Sequence, residues 1–284
     1  MRPRQWTKNF LVFAGLIFGE KLTDPASVGL AAVAFGAFCL LSSAVYLIND
    51  VKDREADRLH PAKSGRPIAS GALSVGTAVA AATALAVVAL AAAAWIGLEF
   101  GAIAVAYLAL MVWYSFAIKH VVILDVLSLA GGFVLRAAGG AVAVDVTISH
   151  WLLLLTLLLA LFLALSKRRA ELVTLSDSAE SHRKSLGEYS PYLLDQMIGV
   201  VTASTLLAYA FYTISPDTVR NFGTDRLLWT VPFPLYGIFR YLYLVHRREG
   251  GGNPSDTLLE DRPILACVAL WGASVIAILY GPWR

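Results

Sequence analysis

The sequence predicts an all-α membrane protein, a bundle of about nine transmembrane helices. Three observations carry that expectation. Hydrophobic residues fill 58% of the 284 positions and charged residues only 15%, against about 25% charged in soluble domains. Apolar stretches of about 20 residues, enough to cross ~30 Å of hydrocarbon, recur along the whole chain. They are continuously apolar, without the period-2 alternation of membrane strands, so helices are predicted and not a barrel.

The predicted helices span 9–20, 26–49, 75–96, 99–118, 122–143, 149–170, 196–214, 227–246 and 262–281, the first being short. Breakers or charges separate them, among them Asp24-Pro25, Ser74-Val75-Gly76 and Ser215-Pro216-Asp217. Ala80–Ala94 is mostly Ala with Val and Leu, a composition that lets helix backbones approach closely in lipid. Cys39 and Cys267 sit in apolar stretches without metal-type spacing and read as packing residues. Trp6, Trp95, Trp113, Trp151 and Trp229 fall near helix ends, as an aromatic belt does. Arg2, Arg4 and Lys8 lead directly into the first apolar segment, unlike a cleavable signal. No soluble domain fits between the helices. Positions 1–284 are therefore expected to form one polytopic membrane domain, with loops 50–74, 167–195 and 247–261 forming a polar cap.

Charge distribution tests the helix count. With nine helices and the N-terminus inside, seventeen Lys and Arg fall on one face, drawn from the N-terminus, the three loops and Lys119. The other face receives four, Lys21, Arg220, Arg226 and Arg284, while Arg136 and Arg240 lie within helices. The basic face is predicted to be cytoplasmic.

At that face the second helix runs without a breaker into Asn49-Asp50-Val51-Lys52-Asp53-Arg54-Glu55-Ala56-Asp57. Continued at 100° per residue, it places Asn49, Asp50, Asp53 and Asp57 within an arc of about 100°. Carboxylates crowded at helical spacing repel unless a cation neutralises them. Hard oxygen ligands suit magnesium, which keeps waters and bridges to phosphates. A solvated helix end with salt bridges to Lys52 and Arg54 is the plain alternative. Downstream, Pro61 should end the helix, and Gly65 and Gly71 permit a tight loop. That loop tethers Arg58, Lys63 and Arg66 near the acidic face, where they would clamp phosphate oxygens. Ordinary positive-inside charge is their alternative.

Asn49-Asp50-x-x-Asp53-x-x-x-Asp57 at the end of a second membrane helix, followed by a basic Arg-Pro loop, resembles the first Asp-rich motif of the UbiA prenyltransferase superfamily. The resemblance covers essentially the whole chain. It is closest to the decaprenyl-phosphate phosphoribosyltransferase branch, through Arg2–Asn9, Tyr114–His120, Leu135–Gly140 and Ser166–Glu171. It implies a UbiA-like helical bundle in a bacterial plasma membrane, with magnesium as cofactor. Asn49, Asp50, Asp53 and Asp57 would hold the metal, and the three aspartates would be catalytic. Phosphoribosyl would pass from phosphoribosyl diphosphate to a polyprenyl phosphate, releasing diphosphate, for arabinan and cell-wall precursors. No nucleic-acid partner is implied, and a homo-oligomer such as a trimer stays open. One departure matters. The second Asp-rich motif usual in enzymes acting on aromatic acceptors is replaced here by Lys167-Arg168-Arg169-Ala170-Glu171. Cations there suit extra phosphate, so Lys167 and Arg168 are assigned to phosphate, and Glu171 to metal or sugar hydroxyls.

Other polar groups follow from position. Arg136 lies mid-helix in lipid, where ionisable residues usually serve function; it would meet a phosphate, or else pair with a carboxylate such as Asp125. Lys119 is assigned to phosphate, Tyr114 to a hydroxyl contact, and Lys8 to capping the same pocket. Tyr189 and Tyr192 read as interfacial anchors. Two rivals stay in view. A prenyltransferase acting on an aromatic acceptor would carry a second carboxylate pair, and a transporter would spread polar residues through several helix centres.

Overall fold

The computed structural model describes residues 3–59, 63–147, 149–175, 184–247, 257 and 260–281, and among them every element is helical. A 3-10 helix, Pro3–Phe13, passes into α1, Ala14–Phe18. Then come α2 (Pro25–Lys52), α3 (Arg54–Leu59), α4 (Val75–Ile96), α5 (Leu98–Phe116) and, after a 3-10 turn at Ile118–His120, α6 (Leu124–Ala143). The remainder comprises α7 (His150–Leu175), α8 (Lys184–Gly187), α9 (Pro191–Ile214), α10 (Pro216–Phe222), a 3-10 turn at Arg226–Thr230, α11 (Pro232–Arg247) and α12 (Arg262–Tyr280). Among the described residues seven helices are long and apolar enough to cross a membrane. The chain is a multi-pass membrane protein.

The first and eighth expected spans are the two outside that seven, and both combine 3-10 with α geometry. At ~2.0 Å per residue the eleven residues of Pro3–Phe13 reach about 22 Å. The five of α1 add about 8 Å. Laid end to end, the two segments amount to about the 30 Å of a hydrocarbon core. Most other boundaries follow local chemistry. Asp24, Ser74, Ser190, Ser215 and Asp261 each cap a helix through their side chains, and four of those helices carry Pro in the first turn. At Asp24 the Ser27 hydroxyl and the N–H groups of Ser27 and Ala26 hold the carboxyl below its ordinary value. α7 runs past the expected stop near residue 170, because no breaker intervenes and Glu171 pairs back to Lys167 and Arg168 at i−4 and i−3.

The chain forms two compact units, 1–148 with 182–185, and 149–181 with 186–284. In the first, α2 packs on α4, and fully buried Ala34 of one helix shares a core with Ala89 and Ala93 of the other. Within the Ala-rich stretch 80–94, Ala82, Ala89 and Ala93 are buried and the remaining residues are exposed or half-buried. Phe38 anchors this core, with Phe100 and Tyr107 edge-on at 5.8 and 5.3 Å. In the second unit α7 packs on α9. Tyr209 bonds the Thr230 hydroxyl at 2.6 Å and accepts from the Trp271 indole at 2.7 Å, while Arg240 pairs with Asp261 at 2.9 Å.

The N-terminal segment lies backbone-to-backbone against α6. A Cβ on Gly140 would stand 2.0 Å from the Val12 carbonyl oxygen, and one on Gly15 would stand 2.6 Å from the Ala141 Cα. Only glycine permits this approach. Gly140→Ala should therefore cost at least about 1–3 kcal/mol through overpacking, read as a lowered melting temperature in detergent. Gly199→Ala, where a Cβ meets nothing within 4 Å, should leave melting unchanged or raise it.

Candidate active site

The acidic segment departs from a continuous helix at one residue. α2 ends at Lys52, Asp53 caps it, and α3 begins at Arg54. Yet the Asp53 N–H still donates to the Asn49 carbonyl at 2.9 Å and the Asp57 N–H to the Asp53 carbonyl at 2.8 Å. Helical spacing therefore persists across the break, and Asn49, Asp50, Asp53 and Asp57 stay near one side. Asn49 donates its amide to Asp53 Oδ2 at 3.0 Å, leaving its carbonyl oxygen for a donor or a cation.

The loop after α3 is built to present Arg66. The Arg66 N–H donates to the Lys63 carbonyl at 2.9 Å, the Ser70 N–H to the Arg66 carbonyl at 2.8 Å, and the Leu73 N–H to the Pro67 carbonyl at 2.8 Å. Gly71 takes φ +86, a conformation that favours glycine. Ile68 and Ala69 are buried beneath the loop, and Arg58 ties it down by donating Nε to the Ala69 carbonyl at 2.9 Å. The expected helix stop at Pro61, together with His60, Arg2, Arg183, Arg248 and Arg284, lies outside the described residues.

Two ion-paired groups result. Arg66 Nη1 donates to Asp50 Oδ1 at 3.1 Å and to Asp57 Oδ2 at 2.6 Å, so one nitrogen bridges two carboxylates. Lys119, at the 3-10 turn after α5, reaches Asp53 Oδ1 at 2.5 Å across 66 positions of sequence. Asp57 is 4% exposed and Lys119 5%. Between Lys119 and α6, Ile123 adopts φ +68 and the Leu124 N–H donates to the Val122 carbonyl at 2.8 Å. This is a γ-turn in a conformation that costs a β-branched residue about 1–3 kcal/mol, strain held beside the cation that meets Asp53.

Of the other expected residues, Lys8, Lys63 and Tyr114 lie in the first unit, each partly exposed. Arg58 shares its guanidinium between the loop and Glu55. Lys167, Arg168 and Glu171 belong to the second unit and form their own cluster on α7, with Arg168 at 2.5 Å and Lys167 at 3.7 Å from the Glu171 carboxylate. Beside them Arg169 pairs with Asp195, which also meets His246 at 3.3 Å. Arg136 is 5% exposed and meets three neutral protein acceptors. It donates to Asn9 Oδ1 at 2.7 Å, the Gly132 carbonyl at 3.0 Å and the Tyr107 hydroxyl at 2.6 Å, and lies over the Tyr107 ring. Asn9 turns its amide to Cys39 and Ser42. The roles of Asn9 and Tyr107 are not legible in the sequence, because a lone polar residue in an apolar run does not reveal its partner. Arg54, next to Asp53 in sequence, has its Nε 3.9 Å from the Glu55 carboxylate and makes no hydrogen bond through it.

For a divalent cation the donor set fits in kind, since Asn49, Asp50, Asp53 and Asp57 offer hard oxygens. Asp50 and Asp57 already share one positive centre. With Arg66 and Lys119 seated there, no three carboxylate, His or Cys groups among the described residues converge on a single point. A cation entering the site must displace at least one of them.

Comparison with known proteins agrees with the fold and the motif. The profile of the UbiA prenyltransferase family matches residues 9–255. Decaprenyl-phosphate phosphoribosyltransferase of Mycolicibacterium smegmatis is 34% identical, over 99% of this chain and 91% of that one. Its counterpart from Corynebacterium glutamicum is 33% identical, over 99% and 85%. The structure of a UbiA homolog from Archaeoglobus fulgidus bound to GPP and Mg2+ superimposes with a TM-score of 0.77 at 21% identity, covering 98% of this chain and 97% of that one. The chain belongs to the UbiA prenyltransferase family.

Proposed function

We propose that this protein transfers phosphoribosyl from phosphoribosyl diphosphate to a polyprenyl phosphate, decaprenyl phosphate being the acceptor its relatives name, and releases diphosphate. The observation that carries the reading is the pairing of Asp50, Asp53 and Asp57 with Arg66 and Lys119 at the end of α2. Alternating carboxylates and cations at a membrane boundary match a metal–diphosphate ligand, in which negative oxygens need both. Identity of one third over nearly the full chain to phosphoribosyltransferases supports the sugar donor. Replacement of a second Asp-rich motif by Lys167, Arg168 and Glu171 supports it too.

Magnesium held by Asn49, Asp50, Asp53 and Asp57 would neutralise the leaving diphosphate and weaken its bond to the sugar C1. Arg66 and Lys119 then bind phosphate oxygens, Arg66 able to do so bidentately. Arg58, Lys63 and Lys8 add positive potential in the same unit, and Tyr114 offers a hydroxyl. Lys167 and Arg168 are assigned to further phosphate and Glu171 to a sugar hydroxyl or metal. The ribose gains oxocarbenium character, and the lipid phosphate attacks C1 from the face opposite the leaving group, inverting that carbon. With a second phosphate pKa of about 6, the attacking oxygen is anionic at neutral pH and needs no general base. The reaction is placed at the cytoplasmic side of a bacterial inner membrane, where the water-soluble donor meets a lipid acceptor.

The test is an assay of the purified chain with labelled phosphoribosyl diphosphate and polyprenyl phosphate. Labelled lipid should form with magnesium and fall to background when a chelator removes it. Transfer from a prenyl diphosphate to an aromatic acceptor, with none from phosphoribosyl diphosphate, would overturn the proposal in favour of the rival chemistry.

A further inference from the structure

We infer that Arg66 and Lys119 are resident counter-ions which bar the aspartates to a divalent cation arriving alone, and admit it when a diphosphate comes with it. This rests on the reading of the site as a metal–diphosphate centre and adds an order of assembly to it. Arg66 Nη1 lies between Asp50 and Asp57, and Lys119 Nζ lies on Asp53. The three carboxylates proposed as metal ligands are thus each engaged by a protein cation.

Displacement by metal alone is unfavourable for a Coulombic reason. The arriving ion would gain the carboxylates, while Arg66 and Lys119 would lose them and remain within a few ångströms of a double positive charge. Neither can retreat far. The Arg66 backbone is fixed by bonds to Lys63 and Ser70, and Lys119 is buried on a turn closed by the γ-turn at Ile123. Taking a carboxylate away from the buried Lys119 carries a desolvation cost.

A diphosphate changes the balance. Its oxygens offer Arg66 and Lys119 new acceptors while bridging the incoming metal. Each protein cation then exchanges a carboxylate for a phosphate oxygen through a swing of its side chain, its backbone staying in place. Metal and diphosphate should consequently bind with positive coupling, and the coupling should be reciprocal. Opposite effects follow for loss of either cation. Binding of metal alone improves because its competitor is gone, and binding of the diphosphate weakens because its clamp is gone.

The experiment measures Mn2+ binding to the detergent-solubilised full chain by electron paramagnetic resonance, with and without inorganic diphosphate. Wild type should bind Mn2+ weakly alone, and diphosphate should tighten it by at least about tenfold. Arg66→Gln and Lys119→Gln should each bind Mn2+ alone about tenfold tighter than wild type, with less gain from diphosphate, by the same coupling. Arg66→Lys, which keeps the charge, should stay close to wild type. Should one glutamine variant fail to fold, the other carries the test. If wild type binds Mn2+ with diphosphate but the folded glutamine variants bind it alone no tighter than wild type, the counter-ion role falls while the metal site stands. If wild type binds no Mn2+ even with diphosphate, the metal site falls and this inference with it.

Discussion

Asp53→Asn and Asp57→Asn should each lower phosphoribosyl transfer by about a thousandfold while the protein still folds. The size follows from the several kcal/mol that metal stabilisation of a leaving diphosphate supplies, converted at about tenfold per 1.4 kcal/mol. Folding should survive because asparagine keeps the shape and an acceptor oxygen. Lys119 then retains a partner at position 53, and Arg66 retains Asp50 as well as the amide oxygen at 57. Turnover is read with saturating substrates and magnesium, beside melting curves for both variants. Wild-type rates in both would remove the aspartates from catalysis. A lost melting transition would instead reveal a structural role for the buried Asp57.

Arg136→Leu should destabilise the first unit by about 3 kcal/mol or more, since it leaves acceptors on Asn9 and Tyr107 buried and unmatched. Arg136→Lys should not restore it. One ammonium cannot satisfy the Asn9 oxygen, the Gly132 carbonyl and the Tyr107 hydroxyl in their present geometry, nor lie flat on the Tyr107 ring. Thermal melting without substrate separates the two readings of this residue. A scaffold arginine lowers melting when replaced by either residue. A phosphate-binding one leaves melting intact and raises KM.

Much of the candidate site was legible because its signals are local. Carboxylates three and four residues apart declare a shared face, and a Gly-rich basic loop eight to sixteen residues later must lie nearby. Arg66 was identified on those grounds and meets Asp50 and Asp57. Lys119 is legible in the sequence only as a basic-face cation assigned to phosphate; its partner Asp53 is not. The break at Asp53 was not legible, because a cap without Gly or Pro in a polar segment looks like more helix. The partners of Arg136 were hidden for another reason. Asn9, Tyr107 and Arg136 come from three separate segments, and one sequence carries no record of which polar residues meet across a membrane core. In the fold, seven expected spans are single long apolar helices among the described residues, while the first and eighth are built partly of 3-10 helix, a change of geometry that hydropathy does not reveal.

The bond from Arg136 to Asn9 joins residues 127 positions apart. At about 5–20 residues per second of synthesis, Asn9 is made roughly 6–25 s before its arginine. Through that interval a polar amide must be sheltered by Cys39 and Ser42 of the next helix, or by the insertion machinery. Asn9 is thus made well before the residue that locks it in place. Defects in Gly15, Gly140 or Arg136 should surface as failed assembly of nascent protein more than as slow chemistry in the mature one.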